Sequence, residues 1–559
     1  MPRCVIVQSD RSVLLEVDVP GFEEARDALA RFAELEKSPE HVHTYRISPL
    51  SLWNAASSGL RADDVLAALA AHAKYEVPQN VRADVREQMA RFGRLRLEAA
   101  PGGGFVLRGE DELLVEQVWR NIKIRPLLGP RLGAREIRID GAQRGPVKQA
   151  LLKIGWPVED LAGYVDGDPL EVIVRESRKA GGTWGLREYQ KQSADAFWAG
   201  GATRGGSGVV VLPCGAGKTM VGIAAMERVQ ARTLILCTNV VAARQWRDEL
   251  LDKTSLTAEQ VGEYTGQVKD VKPVTIATYQ ILTWRKKKTD PFLHFELFNR
   301  ANWGLILYDE VHLLPAPVFR VTAEIQARRR LGLTATLVRE DGREGDVFSL
   351  IGPKKYDVPW RVLEKQGWIA TALCREVRVD LAPAERLRYA SGGEREQFRI
   401  ASENPAKTEV VRDLLGRHAG DRVLLIGQYL DQVESMAETF GTKAITGQTP
   451  VRERETVYGE FREGKRKLLV LSKVGNFSLD LPDANVLIQV SGTFGSRQEE
   501  AQRLGRVLRP KSDKSQASFY SLVTRATREE DFAHKRQLFL TEQGYRYEVM
   551  EAAAAGGVR

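Results

Sequence analysis

The stretch Val209-Val210-Val211-Leu212-Pro213-Cys214-Gly215-Ala216-Gly217-Lys218-Thr219 decides the fold. Its apolar beginning predicts a buried strand, and its end predicts the start of a helix. The two glycines let backbone N–H groups approach phosphate oxygens, and the helix N-terminus adds a favourable dipole. Lys218 can reach the β- and γ-phosphates of a nucleotide, and the Thr219 hydroxyl can coordinate Mg²⁺. The segment from Pro213 to Thr219 is therefore a predicted phosphate site, although Leu212 stands where the strict motif has another glycine.

A second motif follows about 90 residues later, in Gly304-Leu305-Ile306-Leu307-Tyr308-Asp309-Glu310-Val311-His312. Its apolar run predicts a strand that delivers Asp309 and Glu310 to its carboxyl end, where open α/β sheets bind ligands. We expect Asp309 to hold Mg²⁺, directly or through water, and Glu310 to orient or deprotonate an attacking water. Two interpretations of His312 stay open: a coupling hydrogen bond near the nucleotide, or structural packing.

Short apolar runs alternate with helical patterns around both motifs. Such alternation predicts two consecutive α/β domains, each with a parallel sheet and crossover helices. The runs of the first domain lie at residues 209–212, 233–237, 304–308 and 331–333, and those of the second at 422–426, 467–471 and 485–490. We place the boundary between the two domains near residues 360–370.

The region before these domains divides into two parts. Apolar residues at helical spacing over 22–37 and 62–72 predict a helical N-terminal domain spanning 1–92. Residues 94–98 and 105–108 flank Pro101-Gly102-Gly103-Gly104, which predicts a hairpin at the start of a small mixed α/β domain, 93–177. A linker at 178–183 leads into the first large domain, 178–365, and the second spans 366–550. The Ala/Gly-rich tail, 551–559, is expected to fray.

Composition narrows the class of protein. The 559 residues are 43% hydrophobic and 28% charged, which excludes a wholly disordered chain, a collagen-like chain and a disulfide scaffold. No apolar run approaches the roughly 20 residues that cross a bilayer, and the first ten residues lack a secretory signal. The four cysteines form no CxxC pair and are expected to be buried, reduced thiols. We expect a cytoplasmic, nucleoid-associated protein, and the net charge of +8 suits a nucleic-acid partner.

Three arginines near the C-terminus argue against a kinase or a GTPase, which a single phosphate-binding domain would allow. They lie in Gln502-Arg503-Leu504-Gly505-Arg506-Val507-Leu508-Arg509, where a spacing of three puts them close to one face of a helix. Guanidinium groups bind phosphate oxygens through paired hydrogen bonds. The alternative is a basic surface helix with no ligand.

The GxGKT, DEVH, TAT and QRxGRxxR motifs occur here in the order that superfamily 2 helicases show, across about 300 residues. The chain resembles that family. The resemblance implies that Arg506 and Arg509 are arginine fingers that complete the ATP site from the second domain. It also implies that Thr334-Ala335-Thr336 links hydrolysis to the grip on nucleic acid, and that Gln190, with Arg187 nearby, belongs to the nucleotide site and reads adenine.

Three segments resemble the XPB branch of that superfamily more closely. The first is Thr334-Ala335-Thr336-Leu337-Val338-Arg339-Glu340-Asp341, since this branch carries an Arg-Glu-Asp motif at that place; the others are residues 474–485 and 535–545. The resemblance implies that Asp480 contacts ribose or couples the two domains, that residues 383–404 form a short thumb-like insertion, and that 93–177 is a damage-recognition-like domain. Arg339, Glu340 and Asp341 would help to separate the duplex, or they form a charged turn.

Further residues match the nucleic-acid contacts of the family. Thr238 and Arg244 lie where motif Ia touches the strand, Thr278 lies in the next such motif, and Gln502 belongs to the coupling set. Arg244 could equally pair with Asp248, four residues on. The basic runs at 285–288 and 328–330 are either solvated faces or contacts to backbone phosphates.

These expectations lead to one principal hypothesis, an ATP-dependent 3′–5′ DNA helicase of the XPB type that acts in DNA repair with ATP and Mg²⁺. It would be a monomer that binds single-stranded, duplex or forked DNA, with a repair nuclease as a candidate partner and no membrane association. A translocase that moves on duplex DNA without unwinding it is the first alternative. A non-enzymatic ATP-binding scaffold and an RNA substrate are the others.

Overall fold

The computed structural model describes residues 3–37, 41–101, 103–179, 181–212, 216–287, 290, 292–314, 317–318, 322, 325, 328–335, 344–357, 363, 372–472, 484–492, 517–542 and 545–552. Two compact units make up the chain, the first mainly from residues 1–34, 44–213 and 217–358 and the second mainly from 359–559. Several predicted site residues lie outside the described residues: Pro213, Cys214, Gly215, Thr336, Arg339, Glu340, Asp341, Asp480, Gln502, Arg506 and Arg509.

The N-terminal region is mixed, so the prediction of a helical domain over 1–92 is wrong. A sheet with the order β1-β2-β4-β3 accompanies four helices. The helix predicted over 22–37 ends at Leu29, and a strand begins at Glu34, because Leu35 is buried between more exposed charged neighbours as in a strand. The elements are β1 (Val5–Val7), β2 (Ser12–Glu16), α1 (Phe22–Leu29), β3 (Glu34–Lys37), β4 (Val42–Arg46), α2 (Pro49–Ser57), α3 (Ala62–His72), where the predicted helix is confirmed, and α4 (Gln79–Arg91).

A small mixed sheet follows, with the strand order β7-β8-β6-β5-β9. The predicted hairpin is confirmed, since β5 and β6 are antiparallel, with Leu95 opposite Gly109 at one end and Ala99 opposite Phe105 at the other. Apolar side chains of this sheet pack beneath two helices to form a separate core. The elements are β5 (Leu95–Ala99), β6 (Phe105–Gly109), α5 (Glu112–Arg120), β7 (Arg131–Gly133), β8 (Glu136–Ile139), α6 (Arg144–Lys153) and β9 (Val158–Asp160).

The first large sheet is parallel, with the order β12-β13-β11-β14-β15-β10-β16. Every residue of β11 and β13 is buried, as expected for strands covered on both faces. All four predicted strands are present. The strands are β10 (Ser207–Val211), β11 (Thr233–Cys237), β12 (Val261–Tyr264), β13 (Val274–Thr278), β14 (Leu305–Asp309), β15 (Arg329–Thr334) and β16 (Lys354–Asp357). The helices are α7 (Glu188–Trp198), α8 (Lys218–Val229), α9 (Val240–Lys253), α10 (Tyr279–Leu282), α11 (Leu297–Arg300) and α12 (Glu344–Asp346).

The second unit contains another parallel sheet, with the order β19-β20-β18-β21-β22-β17-β23. Its strands are β17 (Ala372–Val379), β18 (Val423–Gly427), β19 (Ala444–Ile445), β20 (Leu468–Ser472), β21 (Val486–Gln489), β22 (Ala517–Thr524) and β23 (Arg546–Glu551). Its helices are α13 (Pro383–Ser391), α14 (Glu394–Ser402), α15 (Lys407–Arg417), α16 (Leu430–Thr439), α17 (Val451–Arg462) and α18 (Arg528–Glu542). The first two of these helices lie within residues 383–404, and the assignment of that segment as a thumb-like insertion stays a prediction. The predicted frayed tail begins too early, because Glu551 still pairs in β23 and contacts Arg525.

Each unit holds a buried ionic cluster. In the first, Asp160 accepts hydrogen bonds from Arg144 (2.9 and 3.0 Å) and from Lys148 Nζ (2.7 Å). In the second, Lys407 Nζ donates to both carboxylate oxygens of Glu529, at 2.8 and 3.0 Å. Full pairing of this kind is what allows ionised groups to remain buried.

The described cysteines Cys4, Cys237 and Cys374 are buried free thiols, as predicted, and Cys214 lies outside the described residues. Burial raises the pKa of the Cys237 thiol well above its ordinary value. Within the ranges given above, none of the helices has the length and apolarity that crossing a bilayer requires.

Candidate active site

The predicted site residues of the first large domain lie at the carboxyl edge of its parallel sheet. Lys218 opens α8 just beyond β10, and Asp309 ends β14. Thr334 ends β15, Thr278 ends β13, and Thr238 follows β11. Since carboxyl ends of parallel strands meet at one edge, residues from five separated segments share this edge.

Gly217 has two reasons to be glycine. Its backbone φ is +82°, a value that residues with a side chain rarely adopt. It is the residue directly before α8. A Cβ atom at this position would lie 2.6 Å from Gln190 Nε2. Ala216 before it is buried, and Thr219 after Lys218 is half-buried. Residues 216–219, the described part of the phosphate segment, therefore have the glycine backbone conformation and the close packing that the motif predicts.

Lys218 and Glu310 form an ion pair through Lys218 Nζ and Glu310 Oε1, and both side chains are largely buried. The backbone of Glu310 has a φ of +50°, a left-handed conformation that is uncommon outside glycine and asparagine. Burial acts to raise the pKa of Glu310, but the charge of Lys218, with a smaller effect of His312, more than offsets it. The pKa of Glu310 therefore lies below its ordinary value, and the carboxylate is ionised.

Asp309 is held from two sides. Its Oδ2 accepts a hydrogen bond of 2.9 Å from Trp246 Nε1, and its backbone carbonyl accepts one of 2.9 Å from the Tyr279 hydroxyl. Its Oδ1 accepts from the backbone N–H of Glu310 at 3.1 Å. Burial, and next the charge of Glu310, raise the pKa of Asp309 to about 6. Two neighbouring carboxyl groups thus differ in their affinity for a proton.

His312 makes a hydrogen bond of 2.7 Å between its Nδ1 and Thr334 Oγ1. The same nitrogen lies 3.6 Å from Glu310 Oε2. Of the two interpretations left open by the sequence, the hydrogen bond is the one found, and it joins the end of β15 to the segment after β14. A role in coupling hydrolysis to nucleic acid stays a prediction.

The oxygen donors suit Mg²⁺. Asp309 offers a carboxylate and Thr219 a hydroxyl, and Mg²⁺ in nucleotide sites is held by one or two such ligands together with phosphates and water. Over the described ranges, histidine, cysteine, aspartate and glutamate do not gather in any group of three that could hold a metal without a nucleotide.

Gln190 lies against the phosphate segment rather than away from it. It is buried on the first turn of α7, and its Oε1 accepts a hydrogen bond of 3.0 Å from the backbone N–H of Arg187. Arg187 Nη1 donates to the Tyr189 hydroxyl at 3.0 Å. This position near Gly217 is compatible with a nucleotide contact, and the reading of adenine stays a prediction.

The predicted nucleic-acid contacts differ in accessibility. Arg244 is exposed on α9, and its described partner is Gln267 Oε1 at 3.4 Å rather than Asp248. Thr238 is half-buried, and its Oγ1 accepts from Asn239 Nδ2 at 3.3 Å. Thr278 is buried, with its hydroxyl accepting from the N–H of Ile281 as the N-cap of α10. The Thr278 hydroxyl is thus buried at the start of α10, and its contact with nucleic acid stays a prediction.

The two basic runs have different environments. Arg285 and its two described neighbours at 286–287 are exposed, and the Arg285 guanidinium lies over the Phe292 ring at 4.5 Å. Arg330, by contrast, is fully buried and its Nε donates to Leu350 O at 2.8 Å. Arg329 pairs with Asp166 at 2.8 Å. Both alternatives for the 328–330 run, a solvated face or phosphate contacts, are therefore wrong for Arg330, which anchors β15.

Two residues of this site were not selected by sequence reasoning, Trp246 and Tyr279. A signal was available for both. Trp246 is a large apolar side chain two positions after Arg244, and Tyr279 directly follows Thr278. Each therefore lies next to a predicted nucleic-acid contact, and each hydrogen-bonds to Asp309.

Comparison with known proteins gives matches along most of the chain. The sequence model of the protein family described as ERCC3/RAD25/XPB C-terminal helicase matches residues 363–556. The model of the type III restriction enzyme res subunit matches 183–339, and a model described as a helicase conserved C-terminal domain matches 5–133.

Individual relatives match the chain at nearly full length. The chain is 56% identical over 548 residues to a DNA 3′-5′ helicase XPB of Kineococcus radiotolerans, covering 98% of this chain and 96% of the relative. It is 54% identical to a protein of the same name from Mycobacterium tuberculosis, covering 98% of each. A general transcription and DNA repair factor IIH helicase/translocase subunit XPB of Antonospora locustae is 34% identical, covering 98% of this chain and 81% of the relative. The resemblance seen in the motifs is confirmed, and the chain belongs to the XPB family of superfamily 2 DNA helicases.

Proposed function

We propose that this protein is an ATP-dependent DNA helicase that moves 3′ to 5′ and unwinds DNA during repair. The observation that carries the proposal is the meeting of Lys218, Asp309 and Glu310 at one sheet edge, with Glu310 ionised against Lys218. This constellation provides a cation for phosphate, a carboxylate for Mg²⁺ and a base for water. The names of the two relatives above 50% identity supply the substrate and the direction of movement.

Binding of ATP would rearrange the resting ion pair. The β- and γ-phosphates compete with Glu310 for the Lys218 ammonium, and the freed Glu310 carboxylate can then accept a proton from the attacking water. Asp309 and Thr219 would hold Mg²⁺, which when bound neutralises charge on the phosphates. Arg506 and Arg509 are proposed as the arginine fingers, and the hydrogen bond between His312 and Thr334 is proposed to report phosphate release to the end of β15.

The test of this proposal is the ATPase rate of the whole chain with single-stranded, duplex and forked DNA and with RNA. DNA should stimulate turnover, and Lys218→Ala should abolish it, because Lys218 is the cation that the motif directs to the β- and γ-phosphates. An unchanged rate in Lys218→Ala, or stimulation by RNA alone, would contradict the proposal.

A second candidate is a translocase on duplex DNA. The Antonospora relative is named a helicase/translocase subunit, and the same motor residues would serve either activity. A strand-displacement assay beside a triplex-displacement assay separates the two, since a pure translocase displaces only the third strand. A non-enzymatic scaffold is disfavoured by the paired, ionised Glu310, which binding alone does not need.

We also propose that the protein works as a monomer in the cytoplasm, at the nucleoid, with a repair nuclease as partner. The molar mass of the protein in solution, measured by light scattering, tests the oligomeric state. A value near 62.4 kDa is expected, and a stable multiple of it would exclude the monomer.

A further inference from the structure

Two side chains connect Asp309 to the segments that are predicted to touch nucleic acid. Trp246 belongs to α9 and donates its indole N–H to Asp309 Oδ2 at 2.9 Å. Tyr279 is the first residue of α10 and donates its hydroxyl to the backbone carbonyl of Asp309 at 2.9 Å. Both side chains are buried. The carboxylate and the main chain of one residue are therefore fixed by two different helices.

The indole of Trp246 also touches the helix that begins with Lys218. A Cβ atom added at Gly222, on α8, would lie 2.4 Å from Trp246 Cη2 and 3.3 Å from Leu333 Cδ1. The ring thus fills the space between α8, α9 and β15. Because packed side chains at such a junction cannot move independently, a shift of α9 displaces the indole relative to both Lys218 and Asp309.

Both connections start at the carboxyl edge of the sheet, where the start on α9 is exposed and the start at Thr278 is buried. On α9, Arg244 is exposed two residues before Trp246. On the other segment, Thr278 directly precedes Tyr279 and caps α10. A strand of nucleic acid that pulled on either segment would act on Asp309 through a single side chain. The bond from Trp246 goes to the carboxylate and is stronger than a neutral one, and the bond from Tyr279 goes to the backbone carbonyl, so a pull on α9 has the larger energetic consequence.

We infer that Trp246 and Tyr279 are positioning residues through which bound DNA adjusts Asp309 and thereby the affinity of the site for nucleotide-bound Mg²⁺. The inference rests on the proposed function, since it requires DNA and ATP as ligands. Neither side chain touches the nucleotide in this scheme. Their effect is to set the place and the orientation of an oxygen donor.

The experiment compares Trp246→Phe and Tyr279→Phe with the wild-type chain. Each variant keeps an aromatic ring and removes one hydrogen-bond donor. We expect the Mg²⁺ concentration for half-maximal ATPase to rise roughly tenfold in Trp246→Phe, which loses a hydrogen bond to a charged group, and roughly fivefold in Tyr279→Phe, which loses a hydrogen bond to a neutral carbonyl. In the wild type, saturating DNA should lower this concentration, and in the variants that effect of DNA should be lost.

A second readout does not depend on turnover. Binding of a fluorescent ATP analogue is measured in EDTA and in saturating Mg²⁺. A residue that only supports the fold would weaken both affinities alike. A residue that positions Asp309 weakens binding in Mg²⁺ and leaves the affinity in EDTA unchanged.

Two matched controls come from β14 and the segment just before it. Trp303→Phe removes a buried indole N–H that donates to Leu297 O at 2.9 Å. Tyr308→Phe removes a buried hydroxyl that bonds to Thr322 Oγ1 at 3.1 Å, one residue before Asp309. Both should keep the wild-type response to Mg²⁺ and to DNA.

The outcomes separate the inference from the proposed function. If DNA does not stimulate the wild-type ATPase at all, the proposed function fails. If DNA stimulates turnover but leaves the Mg²⁺ requirement unchanged, or if the variants respond to DNA as the wild type does, the inference is overturned and the function stands. Should Trp246→Phe not fold, as judged by its thermal melt, Tyr279→Phe decides, because it removes a single oxygen atom.

Discussion

A buried ion pair joins Lys218 to Glu310 in the candidate nucleotide site. The pair keeps the glutamate ionised, and the backbone at Glu310 is left-handed directly after β14 ends. Backbone strain of this kind costs on the order of 1–3 kcal/mol and is found where function requires a particular orientation. At the scale of one residue, Glu310 therefore combines a strained backbone with a favourable charge environment.

Glu310→Gln should separate binding from hydrolysis. The amide cannot accept the proton of the attacking water, so turnover should fall by at least about 100-fold, the lower range for loss of a general base. Nucleotide affinity should stay the same or increase, because Lys218 loses its competing partner. Steady-state ATPase and equilibrium binding of a fluorescent nucleotide measure the two quantities, and a loss of binding equal to the loss of turnover would contradict this role.

The pKa of Asp309 predicts how the Mg²⁺ requirement depends on pH. An acid whose pKa is raised to about 6 keeps its proton up to higher pH than usual, and a protonated carboxyl group is a poor ligand. The Mg²⁺ concentration for half-maximal ATPase should therefore rise as the pH falls through about 6 and be constant well above it. Nucleotide binding in EDTA over the same pH range is the control, and a flat Mg²⁺ requirement would refute the assignment.

At the scale of elements, close packing at Gly222 fixes the distance between α8 and α9. The ring of Trp246 occupies the place where a side chain at 222 would stand. The two helices that carry Lys218 and Arg244 are thereby brought nearer to each other than two helices with larger residues could approach.

Gly222→Ala should destabilise the protein by about 1–3 kcal/mol, the usual cost of overpacking a core. Gly459→Ala is the matched control. It lies within α17, a Cβ atom there meets nothing within 4 Å, and alanine should stabilise that helix by up to about 1 kcal/mol. Denaturant unfolding of both variants tests the pair, and equal effects would show that the contact with Trp246 is not limiting.

The elements that the sequence predicts well are those with a continuous pattern. Buried parallel strands such as 233–237 are apolar along nearly their whole length, so their positions follow from the sequence alone. The prediction for region 22–37 fails because its apolar residues fit a helix and a helix followed by a strand equally well, and tertiary packing decides between them.

Site residues can be predicted from the sequence only where they belong to a motif. Lys218 belongs to a motif, whereas the position of Trp246 against Asp309 depends on how α9 lies on the sheet, and the burial of Arg330 depends on the neighbouring Leu350.

At the scale of the molecule, the chain divides into two units with separate cores and separate buried ionic clusters. Asp160 belongs to the first cluster and Glu529 to the second. In the first, burial acts to raise the pKa of Asp160, but Lys148 and Arg144 hold it well below its ordinary range. Removal of either carboxylate leaves buried cations without a counter-charge.

Asp160→Asn and Glu529→Gln should therefore each cost about 3–5 kcal/mol, in different units. We expect calorimetry to show two unfolding transitions. Asp160→Asn should lower the midpoint temperature of one, Glu529→Gln should lower that of the other, and the double variant should show both shifts. Asp166→Asn is the control, because Asp166 pairs with Arg329 at the surface with 90% of its side chain exposed. A single transition shifted equally by both variants would show that the units unfold together.

The resting ion pair at the sheet edge has a consequence for selectivity. An incoming anion finds the ammonium group already engaged, so a weakly charged metabolite gains little by displacing the carboxylate. A triphosphate brings enough negative charge to win that exchange. We therefore expect the site to select ligands by their charge, so that inorganic phosphate competes only weakly with ATP.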